Sequence, residues 1–101
     1  MEILIGKNKH HNWELVDAAE PHDIWFHLSD GPSSHCILVT GGGKPDRKQL
    51  KQVAVICKQH SKAKSMKNVE INYTPISNIK KNVKAGPGAV IITGECKSFC
   101  I

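Results

Sequence analysis

Only one stretch of this chain repeats its apolar residues at helical spacing. Leu50, Val53, Ala54 and Cys57 fall at i, i+3, i+4 and i+7, the inward stripe of an amphipathic helix. Asp46 precedes the stripe with a side chain suited to cap it, so the spacing predicts one long helix over residues 46–62. Every other apolar run is short, rich in β-branched or aromatic side chains, and closed by turn residues. Such runs read as strands: 2–5, ended by Gly6; 23–28 and 35–40, joined by the turn chemistry of 29–34; 69–73; 89–93; and 95–101, in a hairpin across Gly94. Residues 8–19 read as a loop or a short helix that Asn8 is able to cap, and 75–84 as a basic connection. The expected architecture is α+β, a mixed or antiparallel sheet of about six short strands packed on one helix.

A chain of 101 residues suits a single domain spanning 1–101. With 40% hydrophobic and 23% charged residues it is not a disordered segment. No apolar run approaches the ~18 residues of a membrane helix, and Met1–Lys7 is not a signal peptide. The expectation is a cytoplasmic protein with no membrane partner.

The formal net charge of +5 is unevenly placed. Residues 1–43 hold two lysines against six acids, a net of −4. Residues 44–84 hold eleven basic residues against Asp46 and Glu70, a net of +9. On the helix, Arg47, Lys51, Lys58 and Lys62 fall within an arc of ~60° at ~100° per residue. Lys64 and Lys67 follow at the helix exit, and Asn78, Lys80, Lys81 and Lys84 form a further group. A basic half of this kind concentrates polyanions, though a solvated lysine surface has the same composition.

Several chemistries can be weighed against the residues. Four cysteines occur, but Cys36 and Cys57 sit in apolar stretches and Cys96 and Cys100 are separated by three residues. No close-spaced pairs of zinc ligands are present, and no metal or cofactor is expected. Gly41-Gly42-Gly43-Lys44 lacks the glycine spacing and hydroxyl of a nucleotide loop. Pro45 removes an amide donor there, and Asp46 repels phosphate. Ser33-Ser34-His35 lies outside any nucleophile elbow. If the strands flanking 29–34 pair, His27 and His35 come close with Asp23 nearby, an arrangement open to acid/base or metal chemistry. Without a motif such as His-Glu-x-x-His, the pair reads first as structural histidines sealing a turn. Lysine-rich surface binds backbone phosphate, and with five aromatic residues in the chain a reader of shape and phosphate fits better than a base-stacking one.

The residues also resemble a known family, the NFACT-R domain. The likeness is carried by Gly6-Lys7-Asn8 with Asn12 and Leu15, by Ala19 to Leu28 with its Asp-Ile-Trp-Phe-His block, and by Pro32-Ser33-Ser34-His35. It continues in Met66-Lys67-Asn68-Val69, Tyr73-Thr74-Pro75, Asn78-Ile79-Lys80-Lys81 and Gly86-Pro87-Gly88. Ser33 stands where that family usually has glycine, which restricts the turn.

The resemblance implies a non-catalytic RNA-binding module, the C-terminal part of proteins that work in ribosome-associated quality control. Bacterial members have been called fibronectin-binding, and the domain also occurs alone or in a eukaryotic coiled-coil protein. The likeness here is to the stand-alone form, so no role in tailing nascent chains is expected. The implied partner is structured RNA, tRNA or rRNA, by way of the large ribosomal subunit, with DNA and the oligomeric state left open. The family-matched polar cluster is Asp23, Trp25, His27, Ser34 and His35. Lys7, Lys9, Arg47, Lys51, Lys58, Lys62, Lys64, Lys67, Asn78, Lys80, Lys81 and Lys84 would join His27, Ser34 and His35 in meeting RNA. Two other readings stand beside it: a protein adaptor in the same setting, and a small metal-assisted nuclease built on Asp23, His27 and His35.

Overall fold

The helix forms where the periodicity places it. In the computed structural model, which describes every residue except Pro32, α2 spans Arg47–Gln59. Asp46 Oδ1 accepts from the Gln49 amide at 2.8 Å, and Gln49 Oε1 accepts from the Asp46 amide at 2.9 Å. This reciprocal box satisfies two amides that the helix start would otherwise leave unpaired. The helix stops three residues before the predicted boundary because His60 and Ser61 turn back onto it. The Ser61 hydroxyl donates to the Lys58 carbonyl at 2.7 Å. Val53, Ala54 and Cys57 are buried against the sheet, among Phe26, Leu28, Cys36, Leu38, Ile71 and Phe99.

That sheet has five antiparallel strands in the order β1-β3-β2-β4-β7. They are β1 (Glu2–Ile5), β2 (Ile24–Leu28), β3 (Cys36–Val39), β4 (Glu70–Pro75) and β7 (Lys97–Cys100), with β5 (Ile79–Lys81) and β6 (Val90–Ile92) pairing separately. Among the described residues, seven strands in two sheets therefore replace the expected six, and none is parallel. The predicted hairpin across Gly94 does not form: β6 pairs with β5, while β7 crosses to β4. The basic connection of 75–84 contains both β5 and a 3-10 turn, Ile76–Asn78.

The second face of the sheet is also covered. Trp25 and Ile37 point away from α2 and pack with Leu15, Val16, Ile76 and Ile79. Leu15 and Val16 belong to α1 (Lys9–Ala18), which Asn8 caps through its side chain to the His11 amide at 2.9 Å. The arrangement is three layers, α2 on one face and α1 with the small sheet on the other. Strands such as Cys36–Val39 are apolar on both sides and require cover on both. Among the described residues, no helix is long and apolar enough to cross a membrane.

Candidate nucleic-acid interface

The β2–β3 pairing matches Phe26 to Cys36 and Trp25 to Ile37, which carries His27 and His35 to one end of the hairpin. Their rings stand edge to face with centroids 4.9 Å apart. Trp25 lies on the same face, stacked on His27 at 5.5 Å and 3°. Its indole Nε1–H donates to His35 Nδ1 at 3.1 Å, so the neutral His35 ring carries its proton on Nε2. His27 Nδ1 donates to the Leu28 carbonyl at 2.6 Å, because a carbonyl can only accept. Burial pushes His35 down to about 4, the neighbouring His27 adds to this, and a backbone hydrogen bond to Gly88 opposes it. Burial also lowers His27, against backbone hydrogen bonds to Leu28 and Ser33. Both rings are uncharged at neutral pH.

Two close approaches fix what surrounds the pair. Asn12, buried on α1, accepts from the His35 amide at 3.3 Å, while the Gly6 amide donates to the His35 carbonyl at 2.9 Å. A Cβ on Gly6 would lie 1.7 Å from Asn12 Oδ1, so only glycine fits. Gly88 has φ +86, and a Cβ there would meet Lys9 Cβ at 2.9 Å. Trp13 secures the same loop by donating from its indole to the Ala89 carbonyl at 2.8 Å.

These segments enclose a cleft of about 660 Å³, lined by Gly6 to Lys9, Asn12, His27, Ser33 to His35, His60 to Lys62, Lys64, Pro87 and Gly88. Lys7, Lys9, Lys62 and Lys64 are exposed at it. Among the described residues none of the four makes an ion pair, and the lining contains no Asp or Glu. Ser33 causes no strain: among the described residues the only non-glycine with positive φ is Asn68. Its hydroxyl accepts from the Leu28 amide at 3.1 Å and donates to the Ser34 carbonyl at 3.2 Å, and its backbone bridges to Ser61. Pro32, the first residue of that family block, lies outside the described residues.

The cleft thus gathers Lys7, Lys9, His27, Ser34, His35, Lys62 and Lys64 from the sequence-predicted set, with Trp25 behind the histidines. Asp23 is elsewhere, at the opposite end of β2. Its carboxylate accepts from the Glu20 amide at 2.9 Å and the Thr40 amide at 3.1 Å, so the expected proximity of Asp23 to the two histidines is not found. Among the described residues no three His, Cys, Asp or Glu side chains converge as metal ligands. Arg47 lies over the Phe99 ring at 5.1 Å, and Lys58 donates to the Ile101 carbonyl at 3.1 Å. Lys51 is exposed on α2, outside the cleft, and Lys67 lines a different groove with Ser29, Asp30 and Glu70. Asn78 donates to the Thr74 hydroxyl at 2.9 Å and to the Glu95 carbonyl, a structural tie. Lys80, Lys81 and Lys84 are exposed on or beside the small sheet, with Lys81 held by Asp17 at 3.0 Å.

Sequence reasoning passed over Gly6, Asn8, Asn12, His60, Ser61, Pro87 and Gly88 as site residues. Five of these lie inside the family blocks quoted above, which was the available signal. His60 and Ser61 carry none; they reach the cleft only because α2 ends beside it.

Residues 1–97 match the family model described as the NFACT protein RNA binding domain. The Rqc2 homolog RqcH of Bacillus subtilis is 37% identical over 100 residues, which cover 98% of this chain and 17% of that protein. Coiled-coil domain-containing protein 25 of Bos taurus is 36% identical over 93 residues, 87% of this chain and 45% of that one. Among solved structures, the C-terminal part of the fibronectin/fibrinogen-binding protein from Streptococcus suis superposes with a TM-score of 0.88 at 29% identity. That match covers 98% of this chain and 40% of the other. The chain spans less than half the length of each of these proteins.

Proposed function

Because the chain belongs to the NFACT RNA-binding domain family, we propose that it binds RNA in the cleft between α1 and the exit of α2. The bound RNA is tRNA or rRNA, met in ribosome-associated quality control, and the chain performs no catalysis on it. One observation carries the reading. Lys7, Lys9, Lys62 and Lys64 converge on a concavity that holds no acid, so their charge has no partner among the described residues. Phosphate supplies that partner, and its counterions leave on binding.

Salt dependence tests the reading. With four lysines engaged, log K should fall against log salt with a slope of roughly −3. Lys62→Ala with Lys64→Ala should flatten that slope by about 1.5. Binding insensitive to salt, or a slope unmoved in the variant, overturns the assignment.

An adaptor role rests on a different surface. Along α2, Val55 and Ile56 line an uncharged groove of about 450 Å³ with Met1, Ile3 and three glutamines. Capture of a ribosomal or quality-control protein that survives nuclease treatment, and is lost on Ile56→Lys, would favour it.

A further inference from the structure

The rim of the cleft suits phosphate, but its floor is built differently. The floor is the uncharged His27–His35 pair with Gly6, Gly88 and Ser34 beside it. It is also closely packed at two points, since a Cβ on Gly6 would meet Asn12 and one on Gly88 would meet Lys9. A duplex offers a protein convex rows of phosphate with its bases turned inward, and side chains cannot read its deep major groove. Such a ligand would satisfy the lysines and leave the floor facing nothing. An unpaired nucleotide is divided as the cleft is, a charged phosphate beside an uncharged sugar and base. A volume of about 660 Å³ is in the range of sites that enclose small ligands, roughly 300–1,000 Å³. A nucleotide fits within that volume.

We propose that the cleft seats an unpaired nucleotide of an RNA strand, its flanking phosphates on Lys7, Lys9, Lys62 and Lys64 and its sugar and base against His27. This rests on the RNA-binding reading above and adds which part of an RNA is held. In a tRNA or rRNA the ligand is then a loop, a bulge or a free end rather than a stem.

The test compares three fluorescent RNAs by anisotropy at one fixed salt concentration: a blunt hairpin, the same hairpin with a single bulged nucleotide, and an unpaired strand of equal length. The bulged and unpaired RNAs should bind about 10-fold more tightly than the blunt hairpin. His27→Ala should reduce that ratio to under about 3-fold, by weakening the bulged and unpaired RNAs more than the blunt hairpin. With the unsubstituted chain, a 4-thiouridine at the bulge should crosslink to peptides holding Lys9, His27 or Gly88, which keeps the test open if His27→Ala does not fold. Equal binding of all three RNAs, or crosslinks mapping outside the cleft, overturns the proposal and leaves RNA binding standing. Failure to bind any of them overturns both.

Discussion

Lys58 and Lys62 are four residues apart on the chain and end in opposite circumstances. Lys58 folds its ammonium back to the Ile101 carbonyl, while Lys62 stands at a concavity with Lys7, Lys9 and Lys64 and no acid. Two further basic residues are held inside the molecule as Lys58 is. Arg47 lies over Phe99, and Lys81 pairs with Asp17 while lying 5.5 Å from the centre of the Trp13 ring. A cation with a partner inside its own molecule has already offset much of its desolvation, and a ligand that recruits it must break that contact. A cation without one is ready for an external anion. Lys51, Lys80 and Lys84 have no internal partner among the described residues either, so the cleft set is marked by convergence on one acid-free concavity as well.

Reversing charge at each place should produce the largest difference. Lys62→Glu with Lys64→Glu should weaken RNA binding about 100-fold, by losing two phosphate contacts and placing two repulsive charges at the rim. Lys80→Glu with Lys81→Glu, on the small sheet, should weaken it by less than about 3-fold. Filter binding of the same RNA to both variants decides between them. Equal losses would mean that the small sheet belongs to the binding face.

The cleft's floor gives a second contrast, read by stability. His35 is buried and its pKa is lowered to about 4, so the folded state excludes a proton that the unfolded chain accepts near the ordinary value of 6.5. Stability is then fully present above pH ~6.5 and declines as the pH falls toward 4, where the folded state begins to accept the proton. Between pH 7 and pH 4.5 the loss should be roughly 2 kcal/mol, measured by urea unfolding. His35→Gln should be less stable at pH 7 and flatter across the acid range. An acid limb of unchanged depth in that variant would place the effect on other groups.

How much of this could be read in the chain depends on how local each cause is. α2 was legible because its four inward residues are apolar and its cap lies next to them. α1 was legible only as one of two alternatives, a loop or a short helix capped by Asn8, because its inward residues Asn12, Leu15 and Val16 begin with a polar one that serves the His35 backbone instead of the core. β5 was hidden for a related reason: of Ile79, Lys80 and Lys81 only the first is buried, so charge masked a strand. The pairing of β7 with β4 has no local signature, since β5 and β6 lie between the two strands in the chain. The His27–His35 contact was legible from one turn. The cleft was not, because it needs α1, the α2 exit and the Gly88 loop in place together. Separating Asp23 from the histidines required only the length of β2, since four residues at ~3.3 Å each span most of a strand.

The smallest effect bears on the internally held cations. Arg47 over Phe99 is an exposed cation–π contact worth about 0.5 kcal/mol. Arg47→Ala should therefore lower the melting temperature by only about 2–4 °C and change RNA affinity by less than about 2-fold. Arg47→Lys should recover part of the stability, because an ammonium interacts with a ring but lacks the flat guanidinium. The sensitive readout is the affinity. If Arg47→Ala weakens RNA binding as a single cleft substitution does, the guanidinium leaves Phe99 to meet phosphate. The stripe along α2 would then be a second contact surface despite its internal partners, and an internal partner would no longer mark a cation as unavailable to RNA.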